Sequence, residues 1–337
     1  MDQNNSVYDS RNNCDAIIRT ADNSLVVGCK NTIIPSTVTS IEYYAFNGCP
    51  AETITIPGTV TTIKASAFTG ASLRSVTIQE GTTTIEGSAF NLCNYLTTMS
   101  ISSTVTSIGP DGLQNLTTIT VDPNNTVYDS RDNCNAVIET STNKLIIGAS
   151  GTVVVPQTVT EIGTSAFAQR QISSITLPNS IVTIGGSAFT SGSGYESRVY
   201  RINSDENGVY NLPTGLKTIG NGAFYGQKSL IELNLPEGIT SLGTGCFESC
   251  SSLKRVNSDV DGIANIPESV TSLDIHIFRF CDGISKIIFS SIVPPTMSSW
   301  TTLDHQTIYV PTESLEAYKT AAGARAGYIH PISELED

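Results

Sequence analysis

"IPSTVTSIEYYAFNGC" (residues 34–49) sets Ile41 five positions before Phe46 and Cys49 three positions after it. Taken alone, an aromatic beside a thiol admits two readings, a site with Cys49 as nucleophile or simple packing. The rest of the chain chooses between them, because a spacing that recurs at a fixed period is architecture. The same pair returns at Ile63/Phe68, Ile85/Phe90, Ile162/Phe167, Ile184/Phe189, Ile219/Phe224, Leu242/Phe247 and Leu273/Phe278, which accounts for eight of the ten phenylalanines. A ninth unit, Ile108/Leu113, has Leu in place of Phe. The period is 22 or 23 residues wherever nothing is inserted.

Ahead of each anchor lies a Pro-initiated segment such as "IPGTVTTI", "VPQTVTEI" or "LPEGITSL", and behind it a strand such as "LRSVTIQ" or "ISSITLP". Each unit therefore reads as one coil of a solenoid: a strand ending at Pro, a turn, a second short strand V-T-x-I, and a tight A-F turn leading back. Pro donates no hydrogen bond and stops the strand there. One coil offers roughly 10 kcal/mol of gross side-chain burial, less than the ~1 to 2 kcal/mol per residue that ordering its backbone costs. Only stacked coils are stable.

The pattern I-P-x-x-V-T-x-I-x-x-x-A-F-x-x-C-x-x-L-x-x-I-x-I resembles the BspA-type leucine-rich repeats of bacterial surface proteins, over about residues 33 to 290. The resemblance implies a right-handed leucine-rich-repeat solenoid of the α/β horseshoe class, mostly short strands with 3-10 turns. It also implies a role in adhesion or host-matrix binding at the cell surface or in secreted form, with no catalytic residues to carry over.

Insertions break the period in two ways. Residues 2–30 match residues 122–150 at sixteen of 29 positions. The apolar runs Ala16 to Ile18 and Leu25 to Val27 flank an Asp-Asn turn, which predicts a β-hairpin. The first copy has no repeat strand before it, so the gene product is expected to continue upstream. The second pair, "RINSDENGVYNLP" (201–213) and "RVNSDVDGIANIP" (255–267), carries Asn, Ser, Asp and Gly that favour a turn at the head of a hairpin or arch. A single solenoid domain over 1–337 is expected, with a hairpin unit at 2–33, coils at 34–121 and a second hairpin unit at 122–155. Coils follow at 156–289, with hairpin insertions at 191–212 and 255–266, then a C-terminal cap at 290–337. In that cap "PTESLEAYKTAAG" predicts a helix with Thr312 as N-cap and Gly323 at its end.

Composition and motifs exclude several function classes. The net charge is −13 with 18 basic residues and no basic cluster, so nucleic acid and anionic membrane are disfavoured. No apolar run is long enough to span a bilayer, and "MDQNNSVYDS" is not a signal peptide. There is no C-x-x-C, G-x-S-x-G, H-E-x-x-H, P-loop or dinucleotide fingerprint, so neither an enzyme, a metal nor a cofactor is expected. Cys49, Cys93, Cys250 and Cys281, each three residues after a Phe, read as small buried packing residues. Cys14 and Cys29 could face each other across the first hairpin, within disulfide reach, but the second copy has Cys134 and Ala149, which argues that the position does not require a bridge. "NSDVDGIANIPE" sets Asn257, Asp259, Asp261, Gly262 and Glu268 at calcium-loop offsets, and Pro267 and the lack of flanking helices favour an Asx turn instead.

The outward positions of the main strands carry the remaining signal. Thr55, Thr77, Thr120, Thr176 and Asn234 alternate with inward aliphatics, and stacked coils would align them in Thr/Ser columns on one polar face. That face is the candidate binding surface, with a protein partner expected and the chain monomeric. A glycan-binding role in surface uptake is the alternative, needing aromatic anchors such as Tyr195, Tyr200 and Tyr210 near an insertion.

Overall fold

The computed structural model describes residues 5–109, 112–191, 198–273, 276–297 and 306–335. Two compact units result: residues 1–142 with 146–150, and residues 143–145 with 151–337. Each is a β-solenoid built from the 22-residue grammar.

In the first unit Tyr8–Asp9, Ala16–Arg19 and Ser24–Gly28 form an antiparallel meander, as the local turn chemistry predicts. Ser24–Gly28 then starts a parallel ladder of two-residue strands, Ser40–Ile41, Thr62–Ile63, Thr84–Ile85 and Ser107–Ile108. A second parallel sheet stacks the main strands Thr53–Ile56, Ser75–Ile78, Thr98–Ile101 and Thr118–Val121. The repeated insertion again opens antiparallel, Tyr128–Asp129 against Ala136–Glu139.

In the second unit the short ladder runs through Leu145, Ile162, Ile184, Ile219, Leu242 and Leu273. Gly151–Val154, Gln171–Thr176 and Arg198–Val199 pair in parallel. So do Val209–Asn211, Glu232–Asn234, Arg255–Val256, Ile263–Ile266, Lys286–Phe289, Thr307–Val310 and Ile329–Pro331.

The A-F turn explains the grammar. Residues two before the phenylalanines, Tyr44, Ser66, Ser88, Ser165, Ser187, Gly222, Gly245 and His276, all have φ between 54° and 65°. Most residues two after them, among them Gly48, Gly70, Leu92 and Gly226, are left-handed as well. Two left-handed residues four apart fold the chain tightly around the Phe. The Phe N–H then donates to the residue before the next Phe, as in Phe46 to Ala67 O (2.7 Å), Phe167 to Ala188 O (2.8 Å) and Phe224 to Cys246 O (2.8 Å). Buried rings consequently stack: centroids are 4.8 Å apart for Phe46/Phe68 and 5.1 Å for Phe68/Phe90 in the first unit. In the second they lie 5.2, 5.1, 5.3 and 6.1 Å apart from Phe167 to Phe278. The inter-strand spacing of ~4.8 Å sets this ring spacing.

The cysteines after Phe do more than fill volume. Cys93 Sγ donates to Phe68 O (3.0 Å), Cys250 Sγ to Phe224 O (3.3 Å) and Cys281 Sγ to Phe247 O (3.2 Å). Gln227 holds the same position in its coil and donates its amide to Phe189 O. At four of these positions the Phe+3 side chain is thus a donor that reaches the preceding coil, whereas Ala71, at the same position, only fills space.

Two expectations need correction. The insertion at 255–266 is no hairpin: Val256 pairs with Ala264 in parallel, and Ile202 pairs likewise with Tyr210 in the insertion at 191–212. Each is a short arch that adds a parallel rung, because seven intervening residues are enough to return the chain in the same direction. Thr312 is not a helix N-cap but opens a 3-10 turn, Thr312–Ser314, before the α-helix Leu315–Ala322. Cys14 and Cys29, whose positions the second copy indicated need no bridge, are free thiols, Cys14 buried and Cys29 exposed with its Sγ on Asp15 O (3.0 Å). The helix does end at Gly323 (φ 55°), and its buried Tyr318 packs on Phe289 and donates to Ser291 O (2.9 Å).

Phe189, fully buried between two stacked rings, should cost about 3 to 5 kcal/mol when replaced by Ala. Phe189→Leu should cost much less, as Leu113 stands in a natural rung. Urea unfolding of both variants measures the difference. Stability should also fall in alkali. Burial raises the Cys93 thiol from 9.0 to about 12 and the Tyr318 hydroxyl from 10.0 to about 12. The folded state thus keeps protons that the unfolded chain releases, so this stability is intact below about pH 8.5 and lost as pH climbs toward about 12. Urea midpoints measured across that range check the sign.

Candidate binding surface

In the first unit the outward strand positions are threonine and serine in register: Thr53 beside Ser75, Thr55 beside Thr77, Thr98 beside Thr118, Ser100 beside Thr120. Thr55, Thr77, Ser100 and Thr120 are all exposed. Inward Ile54, Ile56, Val76, Ile78, Met99, Ile101 and Ile119 fill the core, so the alternation fixes which face is presented.

Two classes of threonine emerge that look alike in sequence. Those before the short strands staple coil to coil: Thr61 Oγ1 donates to Thr39 O (3.3 Å), Thr83 Oγ1 to Thr61 O (3.1 Å) and Thr106 Oγ1 to Thr83 O (3.4 Å). On the main strands Thr120 Oγ1 reaches Ser100 Oγ (3.0 Å). Among the described residues the hydroxyls of Thr55 and Thr77 have no protein partner. They face solvent ready to bond something else.

The second unit keeps this pattern only at its start. Thr152 pairs with Ser174, and exposed Val154 with exposed Thr176. Further along the outward position is held by Asn211, Asn234 and Asn265, then by Ile288 and Tyr309. The expected Thr/Ser columns thus end after Thr176. Asn234 sits half-buried, its amide donating to Asn211 Oδ1 (2.7 Å) and Glu232 Oε1 (3.0 Å). It belongs to an asparagine ladder and is less free than Thr55 or Thr77.

The asparagines that open the arches are structural. Asn203 and Asn257 are left-handed, with φ of 48° and 47°. Asn203 accepts from Leu177 N (2.8 Å) and donates to Leu177 O (3.0 Å). Asn257 repeats the exchange with Leu235 N (2.7 Å) and Leu235 O (3.1 Å). A side-chain amide replaces the backbone pair that the arch interrupts. This role was missed in the sequence, although N-S-D-x-x-G-x-x-N, present twice, carries it. The calcium-loop spacing dissolves on the same fact, since Asn257 is committed to Leu235 and Asp261 to Arg255 (3.0 Å).

Where the first arch meets the main strand, a polar cleft of about 250 Å³ opens, lined by Ser174, Thr176, Arg201, Asn203, Ser204 and Asp205 with Ile175. It lies beside Ser174 and Thr176 of the second unit's own main strand, at a break in the repeat. The glycan anchors fare less well: Tyr210 is fully buried and donates to Val199 O, and its packing against Phe224 makes it a core ring. Tyr195 lies outside the described residues, and Tyr200 is half-buried. Among the described residues, no helix is long and apolar enough to cross a membrane.

A family model described as BspA type leucine rich repeat region matches the chain in six copies, over residues 26–136, 150–258 and 206–300. The solved structure of the pneumococcal vaccine antigen PcpA is similar in fold, with 18% identity, a TM-score of 0.58, and 85% of this chain and 83% of that chain covered. A leucine-rich repeat protein from Eubacterium ventriosum also matches, with 19% identity, a TM-score of 0.49, and 83% and 74% covered. No curated protein matches the sequence.

Replacing Asn257 by Ala removes two hydrogen bonds worth about 0.5 to 1.5 kcal/mol each and adds a left-handed penalty of about 1 kcal/mol. Urea unfolding should show a loss of roughly 2 to 4 kcal/mol. Millimolar calcium should leave the unfolding midpoint of the unmodified protein unchanged; a calcium-dependent rise would restore the cation-loop reading.

Proposed function

Because the chain belongs to the BspA-type leucine-rich repeat family, we propose that it is a non-catalytic binding protein of a bacterial cell surface. Its main-strand hydroxyl face receives a protein partner. The observation that carries this reading is the split between the two threonine classes. Hydroxyls that staple the coils are satisfied within the protein, whereas Thr55 and Thr77 stand exposed side by side on a regular parallel sheet. Stability does not require threonine there, because any solvated β-former would serve the strand. Thr120 and Thr176 extend the same kind of surface within their own units, and Asn234 marks its change to asparagine.

A rigid parallel sheet holds its side chains in place before a partner arrives, so little ordering entropy is lost on docking. An extended surface of this kind suits a large partner better than a small solute. The polar, weakly acidic character disfavours polyanions.

The test is capture of extracellular-matrix and serum proteins by the immobilised full chain, followed by affinity measurement on whatever is retained. Thr55→Glu/Thr77→Glu/Thr120→Glu should weaken binding at least about ten-fold, the order expected from several unmade hydrogen bonds and desolvated charges. Thr61→Glu/Thr83→Glu, on the stapling column, should change affinity by less than the stability loss it causes. Equal binding by the face variant and the unmodified protein would sink the assignment.

A further inference from the structure

The two arches are copies of one another, and their arginines differ in a way that exposes a site. In the second arch Arg255 is fully paired: Nε and Nη2 donate to Glu232 Oε2 (2.9 and 2.6 Å), and Nη1 to Asp261 Oδ1 (3.0 Å). Glu232 stands beside Arg255 on the neighbouring strand, and Asp261 closes the arch. In the first arch Arg201 takes the place of Arg255, Asn207 that of Asp261, and Ser174 that of Glu232, since Ile175 pairs with Ile202 as Leu233 pairs with Val256. Both carboxylates are therefore missing. Among the described residues Arg201 bonds only the main-chain carbonyl of Asp205, at 3.3 Å, and it forms no ion pair. It lines the polar cleft together with the hydroxyls of Ser174, Thr176 and Ser204, and Asn203 and Asp205 line it too, so a bound carboxylate must sit on the Ser174 side, where Glu232 sits in the second arch.

We propose that this cleft is a carboxylate-binding subsite, and that its occupant is an Asp or Glu side chain of the protein partner. The second arch shows what the fold does with a carboxylate at this position: it is gripped by the guanidinium from the side of the neighbouring strand. The first arch keeps the guanidinium and leaves that place to a ligand. A guanidinium fork recognises a carboxylate through paired charge-assisted bonds, and the surrounding hydroxyls can satisfy the remaining lone pairs. At about 250 Å³ the cleft is smaller than the ~300 to 1,000 Å³ of small-molecule pockets and matches a single side chain. Among the described residues no aromatic ring lines it, so a sugar would find no stacking platform.

This inference rests on the protein-binding reading above, and its test separates the two. The full chain, labelled so that the Arg201 Nε–H signal is observed, is titrated with N-acetylglutamic acid amide, with N-acetylglutamine amide and with glucuronate. The expected result is a saturable shift with the glutamate probe and none with the glutamine probe. Ser174→Glu rebuilds the internal pair of the second arch, so it should weaken the response at least ten-fold while preserving the unfolding midpoint; Arg201→Gln should abolish binding measured by calorimetry. No saturable shift, an unchanged response in Ser174→Glu, or tighter binding of glucuronate than of the glutamate probe would overturn the proposal. Loss of the carboxylate response alongside an intact effect of the threonine-face variants on partner capture would leave the binding role standing and remove only this subsite.

Discussion

The rest of the structure depends on the stacked rungs of the A-F turn. A Phe held between left-handed residues gives its N–H to the next coil and its ring to the next ring, so each coil is locked to its neighbour both by a directional bond and by apolar contact. Because the inter-strand spacing and the preferred offset-stacked ring spacing nearly coincide, neither requirement strains the other. The strained left-handed conformation of residues such as Tyr44, Leu92 and Phe280 persists because the rungs on either side over-determine it. The donors at Phe+3 strengthen the same junction, which explains how Cys and Gln can occupy equivalent sites that look chemically unrelated.

With packing and coil-to-coil bonding settled inside the rungs, the outward positions of the main strands are released from structural duty. The first unit fills them with threonine and serine, and the second turns to asparagine once the arches begin. The arches add rungs without antiparallel reversal, and their opening asparagines supply from a side chain what the backbone no longer can. Duplication of the arch then permits divergence: one copy satisfies its arginine internally through Glu232 and Asp261, while the other leaves Arg201 facing a cleft.

The proposed function rests on the contrast between groups that are used and groups that are not. Thr61 and Thr83 are interior fasteners in all but exposure; Thr55 and Thr77 are not. Family membership places the chain among BspA-type leucine-rich repeat proteins, and the similarity to a pneumococcal antigen at 18% identity speaks for fold alone. The surface itself has to carry any statement about what is bound.

The sequence by itself determined the coil, its period, the inward Phe ladder and the antiparallel meander, because these depend on spacing and on turn chemistry that act within about 22 residues. It also determined that "AFNGC" is architecture, since Phe46 and Cys49 recur at equivalent positions. Tertiary structure alone decided which threonines are free, because a hydroxyl in V-T-x-I or in T-I-T-I is used only if a neighbouring coil brings a partner within reach. It decided that the Asn-rich insertions are parallel arches, because Asn203 and Asn257 bond to residues 26 and 22 positions away. And it decided the state of Arg201, whose missing partners become visible only when Ser174 is seen to stand where Glu232 stands beside Arg255.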